Sequence, residues 1–284
     1  MITIDEAKAI MKAGLGKAEL EFVTTLTAPL FWVYRDGAGF RARNGSAFFL
    51  DTGSGPFGVT ANQVIEGLRK DVAERGVVAV QIGASSRGDS LLFDLNGKNE
   101  IIAAHAGIDI ATFRITIEEI KQIKKTALTG HQKAWPTAPP QRDRGIYYSG
   151  FPGVETLWLS ANEASFGACP GSGVASSISD VNVSSLIERE NLIAVLGNGL
   201  PPEDYDFRGM SGGPMLTVVE HNGIRSWRLA GILYRGPNPV DEDGVPAIAG
   251  LEIMTARRAD FILPDGHLDI GRWDDLNLSS GGAR

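Results

Sequence analysis

The residues best equipped for chemistry are Gly209-Met210-Ser211-Gly212-Gly213-Pro214. A serine in such a turn can stand beside two backbone N–H donors. Gly209 lets the backbone approach closely and bend sharply, so that its N–H and that of Ser211 point the same way. This is equipment for attack on an amide carbonyl. A hydroxyl is a poor nucleophile at neutral pH, so a general base is needed as well. Far upstream, Val59-Thr60-Ala61-Asn62-Gln63-Val64 puts a glutamine in the place where that base would be sought. The plainer alternative is a glycine-rich loop with an incidental serine.

Positioning these groups falls to short apolar or alternating runs that start at Phe22, among them Phe31 to Tyr34, Ser46 to Leu50, Gly76 to Ile82, Ser90 to Leu95 and Ile110 to Ile115. Their β-branched and aromatic residues, separated by Gly, Asp and Asn, predict strands and turns. The pattern stops between Thr126 and Gln141, where prolines and small polar residues cannot sustain a ladder, and this stretch reads as a linker. Strand signals resume at Gly145 to Gly153, Asn191 to Leu196, Pro214 to Glu220 and Ser226 to Tyr234, and Asn222-Gly223 predicts a tight hairpin turn. Asp5 to Lys12 reads as a short helix with Thr3 as its N-cap and Gly14 as its stop, and the Gly-rich polar end reads as a loosely held tail. The expected organisation is a helical appendage (1–20), a first β unit (21–125), a linker (126–144), a second β unit (145–262) and a tail (263–284).

The chain has 284 residues, enough for one large or two small β domains. Its formal charge of -7 arises from 27 basic and 34 acidic residues without a long block of either sign, so neither nucleic acid nor a membrane surface is expected as a partner. Cys169 is the only cysteine, which excludes an intramolecular disulfide and fits a reducing compartment. With no signal-peptide pattern and no apolar run long enough to span a bilayer, a soluble cytoplasmic protein is expected. No Cys/His cluster has metal-ligand spacing, and no metal or other cofactor is expected.

Three ordered segments resemble the chymotrypsin-like (trypsin-like) serine peptidases, especially their disulfide-free cytoplasmic or bacterial relatives. Besides the Ser211 hexapeptide, Phe57 to Gly67 is similar to the histidine motif of that family, in which a strand ends in Thr-Ala-x-His, and Ile108 to Ile115 is similar to its Asp-Ile-Ala-Leu segment. The separations, 46 positions from 63 to 109 and 102 positions from 109 to 211, also resemble those of the family. Leu229 to Gly236 looks like its pocket-lining strand. The resemblance implies two antiparallel six-stranded β-barrels with the site in the cleft between them. It puts Ser211 at the nucleophile, Asp109 at the carboxylate that orients the base, Gln63 at the base, and the N–H groups of Gly209 and Ser211 in the oxyanion hole. It places Tyr205, Asp206, Tyr234, Arg235 and Gly236 around the substrate pocket. Asp206 would favour a basic side chain, yet Arg208 and Arg235 could cancel it, and Tyr205 could simply fill the pocket.

Gln63 is the departure. A carboxamide does not titrate in a useful range and cannot store the serine proton. The resemblance then implies a peptidase homologue that binds a polypeptide substrate or protein partner and is inactive or strongly impaired. The alternative is an active endopeptidase, with the base supplied by His105 or a partner chain, or with Gln63 introduced in place of an original histidine. A purely structural β protein would explain the turns but not the three ordered segments. The other histidines, His131, His221 and His267, read as solvated surface residues. If Asp109 is buried beside Gln63, the side-chain amide is expected to satisfy the carboxylate. Met210 stands where secreted relatives carry the aspartate that captures a newly cut N-terminus, so activation by clipping is not expected.

Overall fold

The computed structural model describes residues 14, 16–37, 39–83, 89–130, 135–136, 139–160, 163–188, 205–221, 224–236 and 251–281. Helix α1 (Gly16–Leu26) leads into β1 (Thr27–Asp36), β2 (Gly39–Asp51) and β3 (Pro56–Thr60), followed by α2 (Asn62–Arg75) and β4 (Val77–Gly83). Then come β5 (Ser90–Leu92), β6 (Ile101–His105), β7 (Ile110–Arg114), α3 (Ile117–Gln122) and β8 (Leu128–Thr129). These strands form one sheet in the order β5-β4-β1-β2-β3-β7-β6, with the two-residue β8 attached in parallel to β2. Six antiparallel strands are present as expected, with the short β5 and β8 added, but among the described residues the sheet stays open between its ends β5 and β6 and does not close into the expected barrel.

The second unit contains β9 (Gly145–Gly150), β10 (Thr156–Ser160), β11 (Glu163–Phe166), β12 (Cys169–Ile178), β13 (Asn182–Glu188), β14 (Pro214–His221), β15 (Ile224–Arg235) and β16 (Leu251–Arg258). Six of these close into a barrel in the order β12-β13-β16-β15-β14-β9, while β10 and β11 pair as a separate ribbon. The fold is therefore all-β, as the sequence predicts. Strands β14 and β15 pair as far as His221 opposite Ile224, and the Asn222-Gly223 turn between them lies outside the described residues, as do the strand expected at Asn191 to Leu196 and the helix expected at Asp5 to Lys12.

Strand alternation joins the units. In β2, Ala47 and Phe49 enter the core of the first unit with Trp32, Leu68 and Phe113, whereas Phe48 and Leu50 enter a second core shared with Leu216, Leu229 and Ile232 of the barrel. In β15 a bulge at Ala230, opposite Met215 and Leu216, shifts this phase, so that Leu229 and Ile232 face the shared core while Ala230 and Leu233 face the barrel interior beside Tyr148, Met215 and Met254. Helix α1 wedges Val23 and Leu26, both fully buried, into the shared core.

Several expectations change here. Helix α2 was not foreseen behind the Gln63 segment, although Val64, Ile65 and Leu68 recur at helical spacing and Gly76 takes the left-handed C-cap conformation (φ 61). The stretch read as a linker is partly core: Leu128 pairs with Leu50, and Trp135 is buried with its indole N–H donating to the Ile262 carbonyl. The end is not a loose tail. Helix α4 (Ile270–Gly281) packs Trp273 and Leu276 against the shared core, apolar anchors outweighing its polar composition. Among the described residues no helix is long and apolar enough to cross a membrane.

Candidate active site

The Ser211 turn hangs from the barrel between β9 and β15. Gly212 N–H donates to Leu233 O at 2.7 Å, and Leu233 N–H returns a bond to Gly213 O at 2.8 Å. The first unit secures its other side through one residue. Ser46 of β2 donates its N–H to Ser211 O (2.8 Å) and its hydroxyl to Gly209 O (2.8 Å), while that hydroxyl accepts from Phe151 N–H (2.8 Å). Ser46 is wholly buried and ties both units to the serine loop. Sequence reasoning missed it, because a serine inside an apolar strand carries no local signal of such partners.

The glycines are required by close approach. Gly209 has φ 106, and a Cβ there would lie 2.6 Å from Phe151 O. Gly212 has φ 92, and a Cβ would fall 2.0 Å from Ser46 O. Among the described residues, the Gly209 and Ser211 N–H groups donate to no other group, and Met210 is buried in the barrel core.

Opposite Ser211, Gln63 stands in the first turn of α2 with its side chain exposed to the cleft. Its Nε2 donates to Tyr234 O at 2.6 Å and to Ser211 Oγ at 3.2 Å. A carbonyl can only accept, so the Tyr234 contact fixes the nitrogen end of the amide toward the serine. The Ser211 hydroxyl has Tyr234 O as its own acceptor at 3.4 Å.

Asp109 lies behind Gln63, in the tight turn between β6 and β7, with the left-handed φ of 56 that aspartate tolerates better than most residues. Its carboxylate does not pair with the Gln63 amide, contrary to expectation. Asp109 Oδ1 instead accepts the Gln63 backbone N–H at 2.8 Å, and the Asn62 N–H faces the same carboxylate. The reason is local: Ala61 occupies the N-cap of α2 without a side chain able to bond, so the orphan N–H groups of the first turn recruit a carboxylate from another loop. Burial nevertheless dominates and raises Asp109 to about 6, against the lowering effects of the Gln63 N–H, Arg257 and the Asn62 N–H.

His105 is not placed as a substitute base. Its Nδ1 accepts from Ile108 N–H at 3.0 Å and its ring packs edge-on to Trp273. The candidates for the pocket separate. Asp206 pairs with Arg208 (Nε to Oδ2 2.7 Å), which holds its carboxyl below the ordinary range. Tyr205 packs against the barrel core and donates to Glu155 Oε1 at 2.7 Å; burial, with Cys169 and Glu155 nearby, keeps its phenol protonated. Tyr234 stands at the serine, Arg235 follows it on the surface, and a Cβ at Gly236 would meet Phe207 Cβ at 3.2 Å.

No protein-family profile matches the chain, and no curated protein matches it. Among solved structures, the chain is similar to a thermostable serine protease from an extremophilic microorganism, with 12% identity, 91% of this chain and 99% of that chain covered, and a TM-score of 0.41.

Proposed function

We propose that this protein is a serine-peptidase homologue whose cleft holds a polypeptide segment without cutting it efficiently. The observation that carries this reading is the donation from Gln63 Nε2 to Ser211 Oγ. A general base must offer the hydroxyl a lone pair, and here the facing group offers it a hydrogen. The remaining parts of an acyl-transfer site suit their roles: Ser211 as nucleophile, the Gly209 and Ser211 N–H groups, which bond to nothing else among the described residues, as oxyanion donors, and Asp109 behind residue 63. In serine proteases generally, loss of the base costs about a millionfold in turnover, about 8 kcal/mol, while the oxyanion hole and binding leave about 10³-fold to 10⁴-fold over water.

Polypeptide is the ligand class that suits this site, because the Ser211 hydroxyl beside the Gly209 and Ser211 N–H groups is equipment for an amide carbonyl. The same retention of every part but the base supports a second reading, an endopeptidase that differs from an active one only at residue 63.

Both readings meet in one experiment. Ser211 is labelled with a fluorophosphonate in this protein, in Gln63→His and in Gln63→His/Ser211→Ala. The expected result is labelling faster by about 10²-fold to 10⁴-fold in Gln63→His and none in the double variant. Rapid labelling at equal rates with and without the histidine would overturn the proposal.

A further inference from the structure

Arg257 is the least expected charge near the site. It belongs to β16 of the barrel and is only 7% exposed. Its Nε donates to Ile108 O at 2.6 Å, its Nη2 to Gly107 O at 3.3 Å and its Nη1 to Asn182 Oδ1 at 2.9 Å. The guanidinium is also sandwiched, 4.8 Å from the centroid of the Tyr234 ring and 5.0 Å from that of Trp273. Two of its three hydrogen-bond acceptors are the carbonyls just before Asp109, and one of its two rings belongs to the residue whose carbonyl meets Gln63 and Ser211.

A buried cation is expensive unless it is fully engaged, and stacking between rings suits a guanidinium better than an ammonium. The arrangement therefore has to answer to something. What it secures is a three-residue approach to a carboxylate in left-handed conformation: Asp109 N–H bonds back to His105 O at 2.8 Å, Ile108 N–H bonds His105 Nδ1, and Arg257 takes the two outward carbonyls. Trp273 closes the assembly from α4, packing so tightly on Gly107 that a Cβ there would lie 2.9 Å from its Nε1.

We infer that Arg257 is a positioning residue for this site: reaching from the second unit, it fixes the loop that carries Asp109 and sets a positive charge beside that carboxylate, with Trp273 of the C-terminal helix holding it there. The consequence for Ser211 rests on the peptidase reading; the effect on Asp109 does not. The groups facing Asp109 are Arg257 from β16 and the N–H groups of Asn62 and Gln63 from α2. Tyr234 of β15 lies against Arg257, and His105 of the same loop turns its ring to Ile108 and Trp273.

The test is carboxyl-carbon NMR on protein labelled at aspartate, with the Asp109 signal assigned by its loss in Asp109→Asn. Arg257→Gln should raise the Asp109 titration midpoint by about one pH unit, a tenfold change in proton affinity. Arg257→Lys, which keeps the charge and loses the fork, should move it less. In the Gln63→His background, Arg257→Lys should still slow fluorophosphonate labelling, because the loop is less well held. If Arg257→Gln fails to fold, Trp273→Leu serves, with a smaller upward shift expected. An unchanged midpoint in a variant that folds overturns the inference. If the midpoint moves but Gln63→His stays unlabelled, the peptidase reading fails and the inference stands; labelling of Gln63→His with an immobile midpoint gives the converse.

Discussion

Replacing Asp109 with asparagine should make the protein more stable near neutral pH and leave it nearly unchanged in acid. Burial lifts this carboxyl from 3.8 to about 6, so the folded chain binds a proton across a window in which the unfolded chain has already released it. A raised acid of this kind contributes stability that is complete below the unfolded value and lost as pH climbs through the folded one. At 1.36 kcal/mol per tenfold change in proton affinity, the ionised side chain costs about 3 kcal/mol above that window. Asparagine removes this cost. It also tolerates the φ of 56 and keeps an oxygen for the Gln63 N–H. The attraction between the full charge and the first turn of α2 is already contained in that raised value. The net expectation is a gain of at most about 3 kcal/mol at about pH 8, shrinking toward zero at about pH 4. Urea unfolding of both proteins across that range measures it. In the Gln63→His background the same change should depress fluorophosphonate labelling, so stability and reactivity would move in opposite directions, as expected of a group kept for function. A variant destabilised at pH 8, or a difference that does not vary with pH, would show that Asp109 is a structural cap for α2 and that burial does not govern its ionisation.

Two further outcomes probe the frame around the site. Gly212→Ala combines φ 92 with a Cβ 2.0 Å from Ser46 O and 2.3 Å from Thr60 Oγ1, so it should cost more than about 3 kcal/mol. Gly37→Ala, with φ 60 and nothing within 4 Å, should cost about 1 kcal/mol. Equal losses in chemical denaturation would contradict the close approach assigned to the serine loop. Lys125 donates to Thr24 O at 3.0 Å at the end of α1, above the Phe151 ring, and burial lowers it from 10.5 to about 8. The unfolded chain then holds this proton to higher pH than the folded one. Stability should rise between about pH 8 and about pH 10.5, by at most about 3 kcal/mol. Thermal unfolding of Lys125→Met should lack that rise; a parallel pH dependence in both proteins would discard the assignment.

Much of the architecture was written locally. Short apolar or alternating runs announced β1, β2, β4, β5, β7, β9, β14 and β15, since side-chain period and turn chemistry act over a few residues. The same short range made the Gly209 to Pro214 turn, and Gln63 in place of a base, legible before any fold. The signal for α2 is also local, in the helical spacing of Val64, Ile65 and Leu68 and in Gly76 at the C-cap. Only the tertiary structure could decide the rest. That Ser46 holds a loop 163 positions away, that Asp109 caps a helix 46 positions upstream, and that Arg257 reaches Ile108 across 149 positions are consequences of how two sheets pack. Sequence spacing carries no record of which buried donor meets which acceptor. The resemblance sets Gln63 and Asp109 side by side and so predicts their pairing; the amide turns instead to Tyr234 and Ser211, because the backbone N–H groups at the start of α2 claim the carboxylate.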